Sequence, residues 1–564
     1  MSNKEIIKQL KLAASLLELN GANPFKVRAY TSTVFQLERL DEQLEGKSVE
    51  EMIALSISKG IAPKISALIA QGGYDELDDL IAQTPNGVVQ MLDIKGIGVK
   101  KIKTIWQELG IDTLDKLLAA CQAKEVSKLK GFGAKTEQLI IEQIEYMRAN
   151  SGKLLYSKAE PLAATLAQHL KENLPSCDVS ISGQVRRRME IIDVIQLVVG
   201  TDEFDQVRGV LDDISDLSAN ARKSGPFVWR GVIVEHNMDV EVLFTPKERF
   251  HNTLFLNSAA PQHLAAMAGE RKIKQIANAQ SFSSEEAIYE ALEMDFIQPE
   301  MREGDFELKL AREKNLPQLV EMEDLKGALH NHSTYSDGRH SLAQMAQKCI
   351  ELGYEYLGIS DHSQTAFYAN GLTEERILEQ HAEIDQLNEK LAPFKIFKGI
   401  ESDILSDGSL DYPEDILKRF DFIVSSIHGN LKMDKEKATT RLLKAIENPY
   451  TTILGHPTGR LLLKREGYPI DHKAVIDACA KHGVSIEINA NPMRLDLDWR
   501  WVRYALDQGI MIAINPDAHD KEHYTFMKYG LLVGRKAGLT KEMTLNALSK
   551  EALEAYFAQR KQGE

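Results

Sequence analysis

Nine residues in the second half of the chain are of the types that hold divalent cations: His330, His332, Asp337, His362, Glu401, His428, His456, Asp517 and His519. None is a cysteine, so mixed imidazole and carboxylate coordination of Mn, Fe or Zn is expected rather than a soft thiolate site. Nine donors exceed what one ion uses, which predicts two or three ions sharing a bridging carboxylate. Glu401, near the middle of the set, is the expected bridge. The chemistry such a cluster serves is metal-assisted hydrolysis.

The spacing of these residues brings them together. Leu329 leads into His330 and His332; apolar runs at 356–360, 394–400, 422–427, 451–455 and 510–516 lead into Asp361 and His362, Glu401, His428, His456, and Asp517 and His519. Short runs rich in Ile, Val, Leu and Phe, separated by helix-like stretches, read as buried parallel strands. Ligands at the C-terminal ends of successive parallel strands converge on one mouth of a barrel. In His330-x-His332 and Asp517-x-His519, strand alternation turns both side chains to one face. A single histidine near a strand end is more often a packed or capped residue; repetition in one orientation sets these apart.

Residues 1–150 read as almost wholly helical. Two turns there resemble each other, LDIKGIG at 92–98 and LKGFG at 129–133, each leading into a lysine and a new helix. Glycine permits left-handed backbone and close approach. Amides opening the second helix can then hold a phosphate oxygen without reading a base. Gly96, Gly98, Lys100, Gly131, Gly133 and Lys135 are therefore the expected DNA contacts of a helix-hairpin-helix pair, with SKGIAPK at 58–64 a degenerate third copy. The pattern becomes α+β over 151–245, with a helix at 161–173 and strand-like runs at 179–182, 191–199, 227–234 and 240–244. It is helical and charged over 246–315, and a polar connection at 316–325 leads into the barrel-like part, 326–564.

At 564 residues the chain is too long for one core, and three or four domains are expected. Its 43% hydrophobic and 27% charged composition is ordinary for globular protein. Cys121, Cys177, Cys349 and Cys479 form no CxxC pair, which suits structural thiols in a reducing compartment. With no signal-like start and no apolar stretch near the ~20 residues that span a bilayer, a cytoplasmic protein without membrane contact is expected. The net charge of −15 disfavours general polyanion binding, but clustered cations would restore positive charge where a phosphate must sit.

The ligand motifs read HNHSTYSDG (330–338), SDHS (360–363), GIE (399–401), SIH (426–428), GHPTGR (455–460) and NPDAH (515–519). They resemble the PHP (polymerase and histidinol phosphatase) phosphoesterase family. GIESDILSDGSL (399–410) and IEINANPMRL (486–495) narrow the resemblance to the PHP domain of bacterial family X DNA polymerases, as do NPFKVRAY (23–30) and REKNLP (312–317). The resemblance covers nearly the whole chain. It implies a multidomain fold: a helical helix-hairpin-helix N-terminal region (1–150), an α+β nucleotidyltransferase-like palm (151–245), a small thumb-like domain (246–315), a linker (316–325) and a C-terminal distorted (β/α)7 PHP barrel (326–564). All nine ligand positions of the family's trinuclear site are filled. Clustered divalent ions acidify a bound water and polarise a phosphoryl group. The implied activity is a Mn-dependent 3′–5′ exonuclease in DNA repair, acting on primer–template, gapped DNA or 3′ ends, with abasic-site endonuclease or 3′-phosphatase activity as further outlets. Arg460, Asn491 and Arg494, on loops after strand ends, are candidates for the substrate phosphate or, equally, for bracing those loops. A monomer is expected.

The polymerase half departs from the family. Nucleotidyl transfer needs an Asp-x-Asp pair on one strand plus a third carboxylate. Counting from Gly183, the pair should fall at Val194 and Gln196, while Asp193 stands one residue early, which turns a side chain to the other face. Arg186 and Arg187 are retained from the family's triphosphate-holding stretch, Gln184 replaces its serine, and Asp239 is retained as the third carboxylate. The expectation is an exonuclease whose polymerase site is degenerate. The competing readings are a bifunctional polymerase and exonuclease using Asp193, Asp239 and Glu241, a small-molecule phosphatase of the histidinol-phosphatase type, and a non-catalytic DNA-binding protein.

Overall fold

The computed structural model describes residues 1, 3–40 and 42–562 and divides into two compact units, Met1–Ser151 and Gly152–Glu564. The first unit is helical, around a core that includes Ile6, Leu10, Leu17, Tyr30, Ile65, Ile102 and Ile140. Its two glycine turns join helix Asn86–Met91 to Val99–Leu109 and helix Leu114–Gln122, through a 3-10 turn, to Ala134–Ala149. Gly96 and Gly131 take φ of +87° and +85°, the left-handed conformation that side chains resist.

In the second unit, helix Tyr156–Asn173 packs on a five-stranded sheet ordered Asp178–Ser182, Val194–Gly200, Met238–Thr245, Val228–Ile233, Leu217–Ala219. Val194–Gly200 and Met238–Thr245 run parallel and the other neighbours antiparallel. The expected run at 191–199 is broken: Ile191–Ile192 pairs with Leu154–Leu155, Asp193 lies at the break, and the sheet strand begins at Val194. Helices between Phe250–Asn257 and Phe306–Arg312 gather around Phe255, Ile273, Ile288 and Tyr289 as a small separate core.

The rest is a seven-stranded parallel barrel in sequence order: β1 (Gly327–Ala328), β2 (Tyr356–Ile359), β3 (Lys395–Asp403), β4 (Phe422–Ser426), β5 (Ile453–Leu454), β6 (Ser485–Asn489) and β7 (Ile512–Asn515). The ring closes at the mouth, beyond β1, where the His332 amide donates to the Ala518 carbonyl (2.8 Å) and Asn331 pairs in parallel with Ala518. Tyr356, Phe397, Phe422, Val424 and Ile453 fill the interior, together with Leu553 and Phe557 of the terminal helix Lys550–Gln562. Phe422 can occupy the centre because Gly358 and Gly399 lack side chains; a Cβ there would lie 2.7 and 2.3 Å from its ring. Alternation along β3 then carries Phe397, Gly399 and Glu401 inward in turn.

Candidate metal centre

The elements deliver the nine expected ligands to the C-terminal mouth. His330 and His332 lie just past the two-residue β1, on chain held by Ser360 and Ala518. Asp337 is on the following loop, and His362, His428 and His456 come within a few residues of the ends of β2, β4 and β5. Asp517 and His519 follow β7. One expectation changes: Glu401 is not at a strand end but two residues inside β3, which continues to Asp403. That position puts its carboxylate in the middle of the mouth.

Five imidazoles surround this carboxylate. Glu401 Oε1 lies 3.2, 3.1 and 3.0 Å from Nε2 of His330, His428 and His456. Its Oε2 lies 3.0 Å from His362 Nδ1 and 3.6 Å from His332 Nε2. Asp517 Oδ1 is 3.2 Å from His332 Nε2, and Asp337 Oδ1 is 3.4 Å from His519 Nε2. Ligand atoms fall into three overlapping groups: His330, His332 and Asp517; His332, Asp337, His362 and His519; His362, Glu401 and His428. His330, His332, Glu401 and His456 are fully buried, while Asp337 and His519 form a solvent-facing rim.

The site's electrostatics follow from burying so many titratable groups together. Burial opposes ionisation of Glu401, but His428, His330 and His362 hold its carboxyl well below the usual range. Asp517 is likewise held low against burial, by His330, His332 and His519. Burial disfavours the charged ring of His428, yet Glu401 and Asp403 raise it to about 10. His519 is raised to about 9, against burial, by Asp337 and Asp517. His332, buried beside His519 and His362, is driven down to about 3. His456 and Asp517 also sit in left-handed backbone, at φ of +21° and +52°, a local cost commonly found where a site dictates side-chain placement.

The donor set fits divalent cations. His330 Nε2, both ring nitrogens of His332, His362 Nδ1 and Glu401 Oε2 are buried without a hydrogen-bond partner. Buried polar atoms are almost always paired. Here they face one another at 3.0–3.7 Å without hydrogen-bond alignment, as atoms do that are aimed at shared points between them.

Several positioning residues carried no role in the sequence reading. Glu487, buried on β6, accepts from or shares a proton with His330 Nδ1 (2.7 Å) and accepts from the His456 amide (2.8 Å). Asp403 does the same for His428 Nδ1 (2.8 Å). Asp361 is enclosed by Ser333, Ser336 and Gln380, whose donors tie down the loop that carries Asp337. Outer partners of this kind fix ring orientation and raise ligand basicity. The signals in the sequence were proximity to assigned residues, as in Glu401-x-Asp403 and Asp361-His362, and the place of Asp403 and Glu487 inside the motifs at 399–410 and 486–495.

The three loop residues separate. Arg494 faces the cluster, with Nε 3.5 Å from Asp517 Oδ2. Arg460 does not present a free guanidinium: it donates to the carbonyls of Arg494 and Leu495 and pairs with Asp498. The Asn491 side chain accepts from the Met493 amide, shaping the same turn.

In the first unit, Gly98 and Gly133 are the N-caps of Val99–Leu109 and Ala134–Ala149, each without a side-chain cap, and the third amides, of Lys101 and Thr136, donate back to the Gly98 and Gly133 carbonyls (2.9 Å each). Gly98, Lys100, Gly133 and Lys135 are exposed.

Arginines and carboxylates in and beside the five-stranded sheet are engaged with protein partners. Arg186 pairs with Glu285, Arg187 Nη1 with Glu303 Oε2 (2.8 Å) and Arg188 Nη1 with Glu300 Oε1 (2.9 Å), so the arginines retained in the sequence are already neutralised. Asp193 receives Gln184 Nε2 (2.8 Å) at the strand break. Val194 and Gln196 stand beside Asp239 and Glu241 in register. Glu241 is bound by Gln196 (2.8 Å) and Arg230 (2.6 Å), which leaves Asp239 without a second carboxylate free beside it. A cavity of about 440 Å³ near Gln184, Gln196, Asn257, Lys272 and Lys274 has no carboxylate in its lining. Among the described residues, every group of three or more clustered ligands lies in the barrel.

Comparison with known proteins agrees with this division. The PHP domain model matches residues 328–491, a helix-hairpin-helix domain matches 1–73 and a SAM-like helix-hairpin-helix tandem matches 88–145. The chain is 34% identical over 570 residues to the DNA polymerase/3′–5′ exonuclease PolX of Bacillus subtilis, covering 99% of each. A probable phosphatase of Thermoanaerobacter sp. is 29% identical over 228 residues, 38% of this chain and 88% of the relative. A likeness that runs from the first helices to the end of the barrel is not that of a shared domain alone: the chain belongs to the family X DNA polymerase/3′–5′ exonucleases that carry a PHP domain.

Proposed function

We propose that this metal-dependent phosphoesterase is a Mn-dependent DNA 3′–5′ exonuclease acting in repair, whose hydrolytic site is the barrel mouth. The carrying observation is Glu401 encircled by five imidazoles within 3.6 Å, amid buried nitrogens that have no hydrogen-bond partner. The overlapping ligand groups, with Glu401 at their centre and His456 beside it, would hold up to three divalent ions. When bound, such ions supply Lewis acidity and an acidified water for attack on phosphorus. Glu487 and Asp403 hold the His330 and His428 rings with Nε2 turned to Glu401. Arg494, beside Asp517 at the rim, is placed to meet a phosphate oxygen; abasic-site cleavage and 3′-phosphate removal would use the same contacts.

DNA is held through the helix-hairpin-helix turns, and the palm serves to position it rather than to extend it. The neutralised Arg186 and Arg187 and the lone Asp239 support this reading of the palm. The two-activity name of the Bacillus subtilis relative favours polymerase plus exonuclease as the second reading. The small-molecule phosphatase reading finds relatives over the barrel alone and leaves the glycine turns without a role.

A 5′-labelled primer–template incubated with Mn, with and without dNTPs, separates these. Shortening is expected, abolished in His330→Ala/His332→Ala. Extension of the primer would overturn the palm assignment. Intact DNA with phosphate released from small monoesters would overturn the exonuclease.

A further inference from the structure

Phe367 and Tyr368 are 86% and 74% exposed, the two most exposed large apolar side chains described in the second unit. They occupy a short turn, Phe367–Ala369, in the loop that leaves β2 directly after His362. Tyr368 stands with its ring centroid 6.4 Å from that of His362. Tyr368 therefore borders the candidate mouth, with the exposed Phe367 beside it in the same turn.

The loop beneath them is not loose. The Ser363 amide donates to the Glu401 carbonyl (3.1 Å), and the Leu372 amide to the His362 carbonyl (2.9 Å), closing the loop at its neck. Thr365 donates through its amide and hydroxyl to Asp411 (2.7 and 2.8 Å), and Gln364 Nε2 donates to the Asp411 carbonyl (2.7 Å). Ala366 and Ala369 are buried and pin the turn from inside, so the sequence AFYA places two anchors inward and two rings outward. Rigid backbone with free-standing aromatics is how single-stranded nucleic acid is gripped, because every base offers a π-face whatever its identity. A small phosphate monoester needs no such surface.

Resting on the exonuclease reading above, we infer that Phe367 and Tyr368 are substrate-positioning residues that stack on the unpaired 3′-terminal nucleobase and so hold the last phosphodiester over the cluster. The ligand class is a DNA 3′ end whose terminal base is unstacked from its own strand.

The test uses the full-length Mn-loaded protein and a single-stranded oligonucleotide ending in 2-aminopurine, its last linkage a phosphorothioate for the binding arm. Wild-type protein should alter 2-aminopurine emission on binding, and Phe367→Ala/Tyr368→Ala should not. In turnover with the ordinary phosphodiester, the double variant should raise KM by about tenfold with kcat largely kept, the scale of one lost base stack. Phe367→Tyr/Tyr368→Phe should restore it. On an oligonucleotide ending in an abasic residue, wild type and variant should match. A double variant with unchanged emission response and KM, in a wild type that shortens DNA, overturns the platform and leaves the exonuclease standing. A wild type that leaves all DNA intact removes both.

Discussion

Glu401 illustrates how one side chain acquires a function from its position in a strand. Alternation points it inward, Gly399 and Gly358 make room for Phe422 beneath it, and His428, His330 and His362, arriving on other elements, keep it ionised against burial. Glu487 depends on the same logic one layer out. It orients His330 through Nδ1 and braces the His456 backbone, touching neither Asp337 nor His519 at the rim. Glu487→Gln keeps the volume and removes the charge. It should weaken metal binding by about 10- to 100-fold, the usual cost of losing an outer partner, while leaving the fold intact. Titration calorimetry with Mn, alongside circular dichroism, checks this; unchanged affinity would mean that Glu487 is only a packing residue.

The elements proposed to grip DNA are built from two copies of one turn. Gly96 and Gly131 adopt the left-handed backbone, and Gly98 and Gly133 start helices whose first amides have no side-chain cap. Lys100 and Lys135 follow within the first turn and are exposed, where a phosphate at the helix N-terminus would meet both amides and charge. Loss of both lysines should therefore reduce binding without changing sequence preference. Lys100→Ala/Lys135→Ala should flatten the slope of log affinity against log salt by about 1.4–1.8, two phosphate contacts' worth. Fluorescence anisotropy over a salt series reads this directly. An unchanged slope would assign the DNA contacts elsewhere.

At the scale of the second unit, the five-stranded sheet region, the small helical core and the barrel are joined by a largely buried charge network. Arg188 and Arg535 (Nε, 3.0 Å) both reach Glu300, while Lys536 pairs with Glu303 and donates to the Arg187 and Glu300 carbonyls (3.1 Å each). Arg187, one of the two arginines retained from the family's triphosphate-holding stretch, is thereby tied through Glu303 and Lys536 to the barrel helix Met527–Lys536. Lys536→Met leaves Glu303 with Arg187 alone and two carbonyls without a donor. It should cost about 3 kcal/mol, toward the lower end for breaking a buried pair. Hydrogen exchange should quicken across 183–200 and 299–303, while the barrel strands and Mn affinity hold. Equal loosening of the barrel would show that the network serves the metal site as well.

A candidate ligand set could be picked out of the sequence because metal chemistry restricts residue types, and because apolar runs ending on His, Asp or Glu repeat down the chain. Barrel architecture was legible for a related reason: buried parallel strands are nearly continuous apolar runs, and β2–β5 and β7 follow those runs in order, whereas β1 is only Gly327–Ala328 and β6, Ser485–Asn489, was not read as such a run. The glycine turns were readable because left-handed backbone at Gly96 and Gly131 demands glycine. What residue types could not reveal was partnership. Arg186 and Arg187 look like anion-binding residues in any sequence, and only packing reveals Glu285 and Glu303 opposite them, roughly a hundred positions away. Arg460 and Arg494 are equivalent as letters, yet one braces a loop and the other faces Asp517. Glu487 and Asp403 became visible as supports only once histidines from other strands arrived beside them. Composition and periodicity are local properties of a chain, whereas the neutralisation of a charge and the aim of a ring depend on long-range neighbours that only the tertiary fold supplies.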